Sequence, residues 1–99
     1  MRTLMQVHIP VERGNEAVRD GVLPKVFGAV FDRIQPEAAY FTSVNGERTA
    51  IIVFDMPDAS AIPAIVEPLF MNLDAAVELA PCMNRQDLEA GIAEAAKNF

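Results

Sequence analysis

The sequence predicts a single α+β domain over residues 1–99, built on a four-stranded antiparallel sheet. Three observations predict it. Short segments alternate apolar and polar residues with a period of two; apolar stripes of helical spacing lie between them; and Asn45-Gly46 sits between two of the alternating segments. A chain of 99 residues buries roughly 60–65% of the surface its unfolded form exposes, enough for one core. No low-complexity stretch, Gly/Ser/Pro-rich linker or solenoid-length repeat divides it.

Residues 2–9 read as the first strand. Thr3, Met5, Val7 and Ile9 alternate with Arg2, Leu4, Gln6 and His8, and Pro10 ends the run because it cannot donate to a ladder. Residues 14–34 read as helix. Val18, Val22, Val26, Val30 and Ile34 recur every fourth position beside Leu23, Phe27 and Phe31. Asn15 is the expected N-cap, Gly21 and Pro24 predict a break or kink near residue 21, and Pro36 ends the helix.

Residues 38–44 and 47–55 form a hairpin. A two-residue type I′ turn needs positive φ at both positions, which Asn followed by Gly tolerates best. That turn sets Val44 opposite Glu47, Thr42 opposite Thr49 and Tyr40 opposite Ile51. Residues 58–71 read as a second helix with Asp58 or Ser60 as cap, and Pro63 and Pro68 suggest two short pieces. Residues 74–82 read as the fourth strand, with Ala75, Val77 and Leu79 as its apolar set. Asn84, followed by Asp87, opens a terminal helix whose apolar side is Leu88, Ile92, Ala95, Ala96 and Phe99.

The element order is β-α-β-β-α-β with an extra C-terminal helix, the ferredoxin-like split βαβ motif. Right-handed, un-knotted connections favour strand order 4-1-3-2 with both main helices on one face. The dry sets, Met5/Val7/Ile9, Phe41, Ile52/Phe54 and Ala75/Val77/Leu79, belong beneath those helices. The opposite face then carries Arg2, Leu4, Gln6, His8, Tyr40, Thr42, Thr49, Ile51, Val53, Asp55, Asp74, Glu78 and Cys82. It holds too much apolar surface to stay wet, because a monomer rarely exposes a large contiguous patch. A second copy packed sheet to sheet about a two-fold axis would cover it. The terminal helix folding over its own sheet is the competing cover. Either would enclose polar groups beside apolar walls, the usual make-up of a small-ligand pocket.

The segments MRTLMQVHIP, PEAAYFTSVNGERTAIIVFDMPDAS and IPAIVEPLF resemble a family of short, uncharacterised bacterial proteins grouped with the dimeric α+β barrels. The resemblance covers nearly the whole chain. It implies the ferredoxin-like fold and a sheet-to-sheet homodimer, and it carries no catalytic motif. The wider superfamily includes cofactor-free monooxygenases, lactone isomerases, haem-handling enzymes and regulatory ligand-binding domains. Fold alone does not choose among these.

His8 is the only histidine, and histidine is the side chain that ordinarily titrates near neutrality. On an enclosed face it is a candidate general base or ligand contact, with Asp74 placed to orient it. The alternative is a solvated or hydrogen-bonded strand-end histidine. Glu78, mid-strand on the same face, is a second candidate proton carrier, since a desolvated carboxylate titrates higher. It would otherwise pair with a Gln or Arg across a dimer. Gln6, Tyr40, Thr42, Ile51 and Val53 would line the ligand pocket, although Tyr40 serves equally well as interface packing. Arg2 and Asp55 are expected to meet as an ion pair at the other end of the sheet. Cys82 has no histidine near it to activate it and is expected to act as a small buried hydrophobe.

One His, one Cys and scattered carboxylates do not give metal-ligand spacing, and no P-loop, G-x-G-x-x-G or G-x-S-x-G appears. Neither metal nor cofactor is expected. Eight Lys and Arg stand against fourteen Asp and Glu, a net charge of −6, which argues against nucleic acid and against an anionic membrane surface. No run reaches the ~20 apolar residues of a membrane span. A leader needs a basic start and an apolar run of roughly 7–15 residues. Gln6, His8, Glu12 and Arg13 interrupt any such run, so a cytoplasmic location is expected. The function expected is small-ligand binding by a dimer, with cofactor-free proton transfer, isomerisation or oxygenation if the protein is an enzyme. The alternative is a non-catalytic dimeric interaction or regulatory module.

Overall fold

A computed structural model describes residues 1–99. The chain runs β1 (Arg2–Ile9), α1 (Val11–Arg19), α2 (Val22–Ile34), β2 (Ala38–Val44), β3 (Glu47–Asp55), a 3-10 turn (Ala59–Ala61), α3 (Ile62–Leu73), β4 (Ala76–Pro81) and α4 (Arg85–Ala96). All strand pairings are antiparallel in the order β2-β3-β1-β4, the expected 4-1-3-2 read from the other edge. The result is an α+β fold compatible with a ferredoxin-like arrangement.

The hairpin turns as its dipeptide requires. Asn45 and Gly46 have φ of 52° and 78°, and Val44 faces Glu47, Thr42 faces Thr49 and Tyr40 faces Ile51. The longer-range registers follow: Met5 lies opposite Ile52 and Leu79, and Gln6 opposite Ile51 and Glu78. Every second residue of β1 is buried, from Thr3 to Ile9. Met5, Val7, Ile9, Ala50, Ile52 and Phe54 form the floor of the core, and Val26, Phe27, Val30 and Ile34 of α2 with Ile65, Val66, Leu69 and Leu73 of α3 form its roof.

The first helical region differs from expectation. It begins at Val11, directly after the extended Pro10, whose carbonyl accepts from the Gly14 N–H at 2.8 Å. Asn15 is therefore inside α1 and caps nothing. Its side-chain oxygen accepts from Arg48 Nη2 at 3.1 Å. The kink expected near residue 21 is a full break, with Gly21 at φ 72° separating two helices. The break turns α1 so that Gly14 and Ala17 face inward and Val18 is exposed. Pro24 falls in the first turn of α2, where a missing N–H costs little.

The helix expected over residues 58–71 is α3, one continuous piece despite Pro68, preceded by the 3-10 turn. Neither Asp58 nor Ser60 caps it; the two hydrogen-bond each other. Asp74 adopts a left-handed φ of 51° and closes α3, its N–H donating to Phe70 O. The fourth strand consequently starts at Ala76, not at residue 74. Phe41 points to the helix side as expected but remains 60% exposed, because β2 is an edge strand. It rests edge-on against Phe27, with ring centroids 5.5 Å apart.

The terminal helix starts as read from the sequence. Asn84 accepts from the Asp87 N–H, and Asp87 accepts from the Asn84 N–H, a complete capping box. No residue of α4 is buried, so within one chain it does not cover the sheet. Two substitutions separate core from rim. Phe54→Ala should cost about 3–5 kcal/mol in urea unfolding, whereas Phe41→Ala should cost about 1 kcal/mol or less.

Candidate functional site

The face of the sheet turned away from α2 and α3 collects every candidate side chain. The registers set Gln6 between Ile51 and Glu78, His8 between Thr49 and Ala76, Leu4 between Val53 and Ala80, and Tyr40 and Thr42 on the outer strand beside Ile51 and Thr49. Their neighbours in sequence, Met5, Val7, Ala50 and Ile52, are the buried set. Within a single chain this face is open: Leu4, Gln6, His8, Ile51 and Val53 are half-buried, while Tyr40 and Glu78 are exposed.

His8 is the organised group of this face. Its side chain is 18% exposed, with Nδ1 3.2 Å from Thr49 Oγ1 and Nε2 3.7 Å from Glu78 Oε1. Glu78 reaches it diagonally, since its direct partner on β1 is Gln6. Asp74, expected to orient His8, instead ends α3 in a left-handed turn; Thr49 and Glu78 flank the ring. Thr49 was not singled out among the candidate site residues of the sequence. Its position opposite His8 depends on the β1–β3 register, which no local signal specifies.

The far end of the face is an ion-pair cluster. Arg2 Nε donates to Glu37 Oε1 at 2.9 Å, and Arg2 Nη1 donates to Asp87 Oδ2 at 3.1 Å. The hydrogen bond that Arg2 donates to Glu37, followed by the charge of that carboxylate, raises the Arg2 pKa above its ordinary value. Arg2 does stand opposite Asp55 in the ladder, but the expected ion pair is absent. Asp55 Oδ1 accepts from the Met1 amino group at 2.6 Å, leaving Arg2 to join β1 to the loop before β2 and to the first turn of α4. Cys82 lies at this end too, half-buried, its N–H donating to Arg2 O at 3.1 Å, with no imidazole beside it.

The larger concavities lie off this face. One of about 440 Å³ is bounded by Met1, Thr3, Met56, Ile62, Leu79 and Pro81. Another of about 390 Å³ lies by Leu23, Phe27 and Phe41, with Thr42 and Thr49 at its border. A pocket over Gln6, His8, Tyr40, Ile51 and Val53 thus requires a cover from outside the chain's own sheet. No group of three or more His, Cys, Asp or Glu side chains comes together in a metal-holding arrangement. No helix is long and apolar enough to cross a membrane.

No family model matches the chain, and no curated protein matches it.

The Arg2 cluster is testable through α4. Asp87→Ala removes one arm of the capping box and one partner of Arg2, and a lost cap costs about 1 kcal/mol. Hydrogen exchange should quicken across residues 88–96 while the sheet amides keep their protection. Unchanged exchange in α4 would show that the cluster does not hold the helix.

Proposed function

We propose that the protein binds a small organic molecule over the open sheet face, as a homodimer that uses this face as its interface, in the manner of the dimeric α+β barrels its sequence resembles. The observation that carries the reading is the His8 arrangement: one ring nitrogen rests on a buried hydroxyl, and the other is turned towards a carboxylate on a half-apolar surface. A neutral imidazole placed so can take a proton from a bound molecule at Nε2, the nitrogen that faces Glu78. Gln6, Thr42 and Tyr40 supply hydrogen-bonding groups, and Ile51 and Val53 supply apolar contact.

Isomerisation is the reaction type that fits with least addition. The proton leaves one atom of the substrate for Nε2 and returns at another, so electrons balance without a co-reactant. Oxygenation would require dioxygen as well. A reducing, cytoplasmic setting fits a chain whose one cysteine, Cys82, is free.

A non-catalytic dimeric module is the second reading, favoured by two features. The open face encloses no cavity within one chain, and α4 presents Leu88 and Ile92 without burying either. An apolar helix side and a half-apolar sheet face are both surfaces a partner copy would cover.

Native mass spectrometry of freshly purified protein should show a dimer carrying a small-molecule adduct. A dimer without adduct favours the module, and a monomer contradicts both readings. Once a ligand is in hand, His8→Ala should lower turnover about 10²–10⁴-fold with the dimer intact. Unchanged turnover would remove His8 from the chemistry.

A further inference from the structure

The two hydrogen bonds at Thr49 decide which nitrogen of His8 carries the proton. Thr49 is 2% exposed, and as a β-branched residue in a packed strand it has little rotamer freedom. Its hydroxyl has a single hydrogen. Oγ1 lies 3.1 Å from the Glu47 carbonyl oxygen, an atom that only accepts, so the hydrogen is directed there. Towards His8 Nδ1, at 3.2 Å, Oγ1 then offers lone pairs alone. Both bonds exist together only when Nδ1 bears the hydrogen.

We propose that Thr49 locks neutral His8 as the Nδ1–H tautomer, leaving Nε2 a bare acceptor beside Glu78, so that the site takes a hydrogen-donating ligand such as a phenol, an enol or an ammonium compound, and rejects anions. The choice of ligand class rests on the reading of this face as a binding site; the tautomer does not.

Glu78 pulls the other way, since a carboxylate prefers an N–H at Nε2. Its oxygen is 3.7 Å distant, beyond hydrogen-bond range, and its side chain is 71% exposed and free to turn into water. The buried hydroxyl has no such alternative, so Thr49 prevails in the neutral ring. Once Nε2 is protonated, both ring nitrogens donate, and the carboxylate becomes favourable instead. Thr49 is thus a positioning residue: it turns the basic nitrogen outward and keeps its own proton out of the exchange.

The surroundings set the charge of the ligand. Glu78 and Glu47 lie at the His8 end of this face, and no Lys or Arg does. Arg2 is at the far end, engaged by Glu37 and Asp87. Arg48 lies on the helix side of the sheet and donates to Asn15. Within one chain, a carboxylate or phosphate would meet the Nε2 lone pair and two negative charges, with no counter-charge at this end of the face. A hydroxyl or ammonium would find an acceptor waiting at Nε2.

The test uses the full chain with 15N-labelled imidazole, in long-range 1H–15N correlation spectra of the neutral ring. The wild type should show a pyrrole-type Nδ1 and a pyridine-type Nε2. Thr49→Val, which keeps the shape and removes the hydroxyl, should move the population towards Nε2–H, the commoner form of free histidine. Thr49→Ser should restore Nδ1–H. A wild-type ring in the Nε2–H form, or a Thr49→Val ring unchanged from wild type, overturns the lock. Titration with phenol and with benzoate reads the ligand class: phenol should shift Nε2 and benzoate should not. Equal or stronger response to benzoate, or none to either, overturns the ligand assignment and leaves the tautomer result standing. Because the tautomer is read without turnover, an Nδ1–H ring in a protein that proves non-catalytic would sink the proposed reaction and not the lock.

Discussion

The two-residue repeat of the sheet is the constraint on which everything else depends. A strand sends alternate side chains to opposite faces, and a slip of one residue exchanges the faces wholesale. In β1 that slip would bring His8 beneath α2 and push Met5 into water. The cost of exposing Met5, Val7 and Ile9, all nearly or completely buried, forbids it, at about 1.5–3 kcal/mol for each such side chain. The core therefore places the candidate side chains: the buried residues of β1 hold His8 and Gln6, with Glu78 beside them, on the outer face.

The same alternation explains why one face is uniform and the other mixed. The inner face is roofed by α2 and α3, so its residues are apolar with few exceptions. Thr3 on that face and Thr49 on the outer one are the buried polar residues, and each hydroxyl finds a backbone carbonyl, Met1 O and Glu47 O respectively. The outer face grades from an acidic, imidazole-bearing end to the Arg2 cluster, with Leu4, Ile51 and Val53 between. A surface of that kind is poor protein exterior and good material for a covered pocket. The exposed apolar side of α4 raises the same question of what covers it.

Much of this was legible in local signals. Asn45-Gly46 announced the hairpin and its register, because only that kind of dipeptide accepts two positive φ angles cheaply. Parity assigned the faces of β1, β3 and β4, and Asn84 with Asp87 marked the start of α4. What escaped was either strain-tolerant or long-range. Pro10 proved as good a helix entry as Asn15, and Asp74 took a left-handed φ that glycine or asparagine more often supplies, which shortened β4. Phe41 lies on the helix side yet stays exposed, because the pattern assigns a side but not how far a helix reaches across an edge strand. The partners of His8 lay further still from local reach. Thr49 and Glu78 come from strands 41 and 70 residues away along the chain, and only the assembled registers bring them to the ring.

The most direct measurement is the set of nuclear Overhauser contacts from the His8 ring protons. The account predicts cross-peaks to the Thr49 methyl group and to Glu78, with none to α2. Contacts from the ring to Val26 or Val30 would contradict it, because they would put His8 in the core and invert every face assigned to the sheet.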